Sequence, residues 1–188
     1  MVNCELITDA GDEETTRYSR KTFTVEWPDG QKAICRKRPG LDRFLEKASR
    51  KNDIHVFTAG TKEYADRVLD KIDPTGTIFK TRFYRDSCTE GDDGYVKDLR
   101  TIIPAEDLRR AILIDDNPVS FLEQPSNAIL VKGFTGDPRD RVLDAVENTL
   151  DQLQSVWDVR PSLHRKFHLR QRFHNYIFNH KRKKEQCE

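Results

Sequence analysis

The sequence predicts an α/β domain: a parallel sheet wrapped by helices on both faces, with an inserted β-hairpin. Three observations carry that expectation. Short continuous apolar runs recur at 54–59, 111–114 and 128–131, as in strands covered on both sides. Apolar residues return at helical spacing between and around those runs. The runs at 54–59 and 111–114 end in Gly60-Thr61 and in Asp115-Asp116-Asn117-Pro118, and parallel sheets bind ligands beyond the carboxyl ends of their strands.

In chain order, residues 1–21 read as a loop or disordered N-terminus, because Asp9–Thr16 carries four acids and no apolar period. Thr22–Trp27 and Gln31–Lys37 are β-prone runs on either side of Pro28-Asp29-Gly30, strong hairpin chemistry. Leu41, Phe44, Leu45 and Ala48 predict a helix, Ile54–Ala59 a strand, and Tyr64, Ala65, Val68, Leu69 and Ile72 a second helix stopped by Asp73-Pro74-Thr75-Gly76. Ile78–Arg85 is β-prone, and Tyr95–Leu99 is placed in a loop or short helix after a Gly91–Gly94 turn. Strands follow at 111–114 and 128–131, then a long amphipathic helix through Val142, Leu143, Val146, Leu150 and Leu153. The main domain is expected over residues 22–160, with a basic helix and tail at 161–188. In that tail Leu163, Phe167, Phe173 and Ile177 share a helical face.

A length of 188 residues fits one domain with an appended tail. Charged residues make up 35% and apolar ones 36%, which suits a soluble chain with a charged exterior. No apolar run approaches the roughly 20 residues of a membrane span. The four cysteines are scattered without a CxxC pair, which argues against zinc or a disulfide framework and for a reducing nuclear or cytoplasmic setting. The formal charge of +1 hides an asymmetry: residues 161–188 hold eight Lys/Arg against two Glu, a net of +6, leaving −5 for the rest. Such a basic end fits anionic partners or a nuclear signal, and no direct nucleic-acid binding is expected. His164 and His168 have metal-ligand spacing but no accompanying carboxylate or cysteine, so a docked helix is the preferred reading.

Three polar signals fall at strand ends or nearby loops. Thr58 precedes Gly60-Thr61 where a helix starts, a place suited to an anion, although Thr61 as a plain N-cap explains the same residues. Asp115-Asp116 are adjacent carboxylates that repel unless a cation or hydrogen bonds compensate. Oxygen ligands at a strand end suit Mg²⁺, and a solvated turn is the alternative. Lys97 in a loop is ordinarily solvated. Beside a hydroxyl and paired acids it completes a set suited to phosphoryl transfer.

Val56-Phe57-Thr58-Ala59-Gly60, Tyr84-Arg85-Asp86-Ser87-Cys88, Tyr95-Val96-Lys97-Asp98-Leu99 and Ile112–Pro118 together resemble one lineage of the haloacid-dehalogenase superfamily. It comprises the small phosphatases acting on the RNA polymerase II C-terminal domain and the Dullard-like phosphatases. The resemblance runs from about Phe23 to Phe167, with Lys37-Arg38-Pro39 and Asp158–Pro161 as flanks. It implies a Mg²⁺-dependent phosphatase of phosphoserine and phosphothreonine proteins. Thr58 and Lys97 take catalytic roles as phosphate ligands, Asp115 and Asp116 hold the metal, and Tyr64 and Arg85 lie near the substrate. The hairpin helps hold the peptide. Family members open on a hydrophobic strand running into Asp-x-Asp-x-Thr, whose first Asp is the nucleophile and whose second is the general acid/base. The 188 residues contain no such motif. The expectation is therefore a sheet without its central first strand, and either an N-terminally incomplete enzyme or a non-catalytic pseudophosphatase. The latter would bind a phosphoprotein or partner, as in a mitochondrial import translocase branch.

Overall fold

The computed structural model describes residues 2–6, 22–91 and 93–172. They divide into two compact units, one of residues up to Tyr84 with Gly133–Glu147, the other of Arg85–Lys132 with the residues from Asn148 onward. The α/β class holds, with parallel strand pairs alongside antiparallel ribbons.

In the first unit, β1 (Val2–Leu6), β2 (Thr22–Glu26) and β3 (Lys32–Lys37) form an antiparallel sheet in the order β1-β3-β2. Strand alternation sends Ala33 and Cys35 of β3 into the interior, with Val25 of β2. The hairpin turn needs Gly30 at φ 86°, and the Asp29 carboxylate accepts from the Gln31 N–H at 3.0 Å. Two expectations are corrected here. Residues 2–6, read as loop or disorder, are a strand. Cys4 and Cys35, read as unpaired thiols in a reducing setting, face each other in register and are joined by a disulfide. Their 31-residue separation carries no motif, so strand register alone brings them together. Residues 7–21, including Asp9–Thr16, lie outside the described residues.

Arg38 follows β3 and is almost fully buried. Its Nε and Nη2 donate to the two oxygens of Asp140, each at 2.9 Å, and its guanidinium lies 5.5 Å from the Phe134 ring centre. Gly40, at φ 80°, then turns the chain into α1 (Leu41–Ser49), which buries Leu41, Phe44 and Leu45. The same Asp140 carboxylate accepts from Val142 N at 2.9 Å, at the start of α3 (Val142–Leu153).

The parallel pair of this unit is β4 (Ile54–Phe57) with β5 (Phe79–Phe83), connected by α2 (Lys62–Ile72). Helix α2 presents Ala65, Val68, Leu69 and Ile72 inward, as the sequence period requires. Asp73 ends it. Its buried carboxylate accepts from the backbone N–H groups of Thr77, Ile78 and Phe79 at 3.1, 2.9 and 3.1 Å, which sets the entry into β5.

In the second unit, β6 (Thr89–Gly91) and β7 (Gly94–Val96) form a short antiparallel ribbon, so part of the segment expected as loop or helix is strand. Strands β8 (Leu113–Asp115) and β9 (Ala128–Leu130) are parallel. The buried Asn127 amide donates to the carbonyls of Leu108 and Ala111 at 2.6 and 2.9 Å, anchoring the approach to β8. Helix α4 (Val159–Phe167), capped by Asp158, buries Val159 and Leu163, and His168 at φ 51° ends it. That break moves the next buried contact to Leu169 of α5 (Leu169–Arg172), off the regular face expected through Phe167. Phe173 and Ile177 lie outside the described residues. The His164 and His168 rings meet edge-on at 6.2 Å. Among the described residues each parallel pair stands as a two-stranded sheet, and no helix is long and apolar enough to cross a membrane.

Asp73→Ala leaves three backbone donors without their acceptor, at about 1–3 kcal/mol for each that water does not reach. Burial alone would raise the Asp73 pKa, but the bonds from Phe79, Ile78, Thr77 and the Thr75 hydroxyl hold it below the usual carboxylate range. A depressed folded-state pKa stabilises the fold above the unfolded value of about 3.9 and loses that contribution as pH falls through the folded value. Urea melts of the wild type and Asp73→Ala are expected to draw together as pH falls from 7 into the acid range.

Candidate functional site

The first unit positions Thr58 and Tyr64. Thr58 follows the last residue of β4, and its N–H donates to Phe83 O of β5 at 2.9 Å. Its hydroxyl oxygen accepts from Gly60 N at 3.0 Å, closing a tight turn into α2. The turn is close at Gly60: a Cβ there would lie 3.3 Å from Thr58 Oγ1, a tight approach, and 3.6 Å from the Tyr64 ring, an ordinary contact. Thr61 sits at the N-cap of α2, where the cap reading places it, although its side chain makes no capping bond. Tyr64, partly exposed on the first turn of α2, stacks on Trp27 at the hairpin tip, with centroids 5.3 Å apart and planes 9° from parallel. Arg67 Nη1 donates to Glu26 O at 3.1 Å, so the hairpin is tied to α2 at a second point.

Below that turn lies a charge cluster that sequence reasoning missed. Asp66 accepts from Lys62 at 2.6 Å, from Arg82 at 2.9 Å and from the Tyr84 hydroxyl at 2.5 Å. Burial pushes its carboxyl up, but those partners outweigh it and hold the pKa at about 2. The i,i+4 spacing of Lys62 and Asp66 was visible in the sequence, whereas the partners from β5 and beyond were not.

The second unit positions Arg85, Lys97, Asp115 and Asp116. Arg85, exposed, lies with its guanidinium 5.2 Å from the Tyr95 ring centre. Lys97 follows β7 and is buried, its ammonium paired with Asp115 Oδ2. Lys97 is therefore not the solvated side chain that a loop lysine ordinarily is. Asp115 ends β8, and its second oxygen accepts from Asn117 N at 2.8 Å, while the Asn117 side chain accepts from Val119 N at 3.0 Å. Two successive Asx turns therefore fix the chain after β8. Asp116 is exposed. The thiol of Cys88 is half-buried, and its pKa is raised by burial, lowered by Lys97 and raised again by Asp115.

Asp98, beside the lysine, accepts from Arg100 N at 2.9 Å, from the Arg100 guanidinium and from Gln124 Nε2 at 2.8 Å. Burial alone would raise its pKa, and the Arg100 and Gln124 bonds hold it below the usual carboxylate range.

These residues alone do not complete a Mg²⁺ site. No group of three carboxylate, histidine or cysteine side chains suited to a metal occurs among the described residues, and both oxygens of Asp115 are engaged. Asp116 is the carboxylate left facing solvent.

An α/β fold of this kind is that of Fcp1, an essential RNA polymerase II CTD phosphatase. Its solved structure matches 71% of this chain and 51% of its own at a TM-score of 0.58 and 23% identity, a likeness of fold. Residues 6–160 match the family of NLI interacting factor-like phosphatases, and the chain belongs to that family. It is 38% identical over 151 residues to CTD small phosphatase-like protein 2 of Dictyostelium discoideum, covering 80% of this chain and 26% of that one. It is 40% identical over 133 residues to the CTD nuclear envelope phosphatase 1 homolog of Drosophila melanogaster, covering 71% of this chain and 54% of the relative. The chain thus spans from about a quarter to about half of these relatives' lengths.

Lys97→Met and Asp115→Asn are each expected to cost about 3–5 kcal/mol, because each strands a partner with little water. Lys97→Met combined with Asp115→Leu should recover much of that loss. A chemical-denaturation double-mutant cycle checks it, and additive losses would show that the two side chains do not interact.

Proposed function

We propose that this chain is a phosphatase-family domain that recognises phosphoserine or phosphothreonine in a protein partner, and that its 188 residues alone bind the phosphate without turning it over. One observation carries the reading: a buried ammonium, Lys97, held by Asp115 at the carboxyl end of a parallel strand. A cation kept out of water and oriented by a fixed carboxylate acts on an incoming dianion with little reorganisation. The resemblance also assigns Thr58 to phosphate, and the Gly60-closed turn at the start of α2 supports that assignment. Tyr64, on its Trp27 stack, and Arg85 are assigned to the peptide around the phosphate.

Asp115 and Asp116 are the residues assigned to Mg²⁺, with further ligands needed to complete its shell. Magnesium, when bound, would neutralise phosphoryl charge. The covalent route of these phosphatases also needs a nucleophilic aspartate. Asp115 cannot serve while it is paired to Lys97, and no Asp-x-Asp-x-Thr occurs in the sequence. Loss of a nucleophile from a cooperating set costs on the order of 10⁶ in rate. A nuclear or cytoplasmic place of action is part of the proposal, supported by relatives named for the nuclear envelope.

The 188-residue chain is expected to bind a phosphoserine peptide more tightly than its unphosphorylated form, and to release no phosphate from it with or without Mg²⁺. Fluorescence polarisation and a phosphate-release assay read the two halves separately. Equal affinity for both peptides removes the recognition reading, and steady turnover removes the non-catalytic one.

A further inference from the structure

We propose that Gln124 is a positioning residue for Lys97, fixing the backbone from which the ammonium projects. The inference rests on the phosphate role proposed above for Lys97. Gln124 uses both ends of its amide on the two residues that follow the lysine. Its Oε1 accepts from Leu99 N at 2.9 Å, and its Nε2 donates to Asp98 Oδ1 at 2.8 Å. A second tie runs parallel to the first: Arg100, bonded to Asp98, reaches Glu123 at 2.7 Å. On the other side, Lys97 N donates to Ser120 O at 3.3 Å. Residues 97–100 are therefore bound to residues 120–124 at every step.

The segment doing the holding is itself immobilised. Ser120, Phe121 and Leu122 are all buried, and Val119 and Leu122 pack with Val96, the residue before the lysine. The same stretch begins at Asp115, the counter-ion of Lys97. Residues 115–124 thus supply both the charge that faces the ammonium and the amide that fixes its main chain. The Gln124 amide supplies a donor and an acceptor together, one for each of these two partners. A glutamate keeps the acceptor for Leu99 N but sets a second carboxylate against Asp98. Phosphate sites depend on ligand placement to within about 0.5 Å, so a slackened 97–99 backbone should weaken phosphate binding although Gln124 does not itself meet the ligand.

The test uses the full chain and inorganic phosphate as probe. Affinity is followed by ³¹P NMR, and Lys97 is followed through its ¹⁵N-labelled side-chain ammonium. Lys97→Met is expected to abolish specific binding. Gln124→Met should weaken it about tenfold and speed exchange of the Lys97 ammonium protons, with Gln124→Glu doing the same should Gln124→Met fail to fold. Asn127→Ala, which removes another buried amide of the same unit, is the control for general destabilisation and should keep wild-type affinity. Wild-type affinity in both Gln124 variants, or an equal loss in Asn127→Ala, overturns the inference while leaving Lys97 in its role. Failure of the unaltered chain to bind phosphate, or unchanged binding by Lys97→Met, sinks the phosphate reading itself.

Discussion

The first unit depends on a guanidinium removed from water. Arg38 and Asp140 are 102 residues apart in sequence, and their two-point pairing draws Gly133–Glu147 into the body formed by the first 84 residues. Each partner then does a second local task. The backbone after Arg38 turns into α1, and the Asp140 carboxylate meets the N–H of Val142 at the start of α3. Burial of charge on this scale is tolerated because planar bidentate geometry satisfies most of what desolvation takes away. Outer pairs such as Arg43 with Asp144 are more exposed and add comparatively little.

The second unit solves a different problem with similar chemistry. A lysine and an aspartate are both withdrawn from solvent, and each meets the other's charge. Asp115 spends one oxygen on the ammonium and the other on Asn117 N, which leaves its orientation no freedom. Asp116, its neighbour in sequence, has the opposite environment and faces water. Two identical side chains thus acquire distinct surroundings, one paired and held, the other exposed.

Much of this was legible in the sequence because periodicity encodes local structure directly. The helices at 41–49, 62–72 and 142–153 and the strands at 54–57, 113–115 and 128–130 follow from apolar spacing and from turns such as Asp73-Pro74-Thr75-Gly76. The strand-end positions of Thr58 and Asp115 were legible in the same way. What the sequence withheld were partners chosen by tertiary placement. Nothing around Lys97 announces that it is buried, nothing at Gln124 announces two bonds to residues about 25 positions away, and nothing links Arg38 to Asp140. Cys4 and Cys35 failed in the same way, since their pairing is a property of register.

That disulfide also changes the covalent topology of the chain. Residues 4–35 become a closed ring, with the remainder of the polypeptide attached through β3. A protease that cuts once inside the ring opens it without releasing a fragment. The nicked protein keeps its full mass until a thiol reductant is added, and only then separates into two pieces. Integrity judged on a non-reducing gel therefore overstates the integrity of the backbone, and only a reduced sample reports the cut.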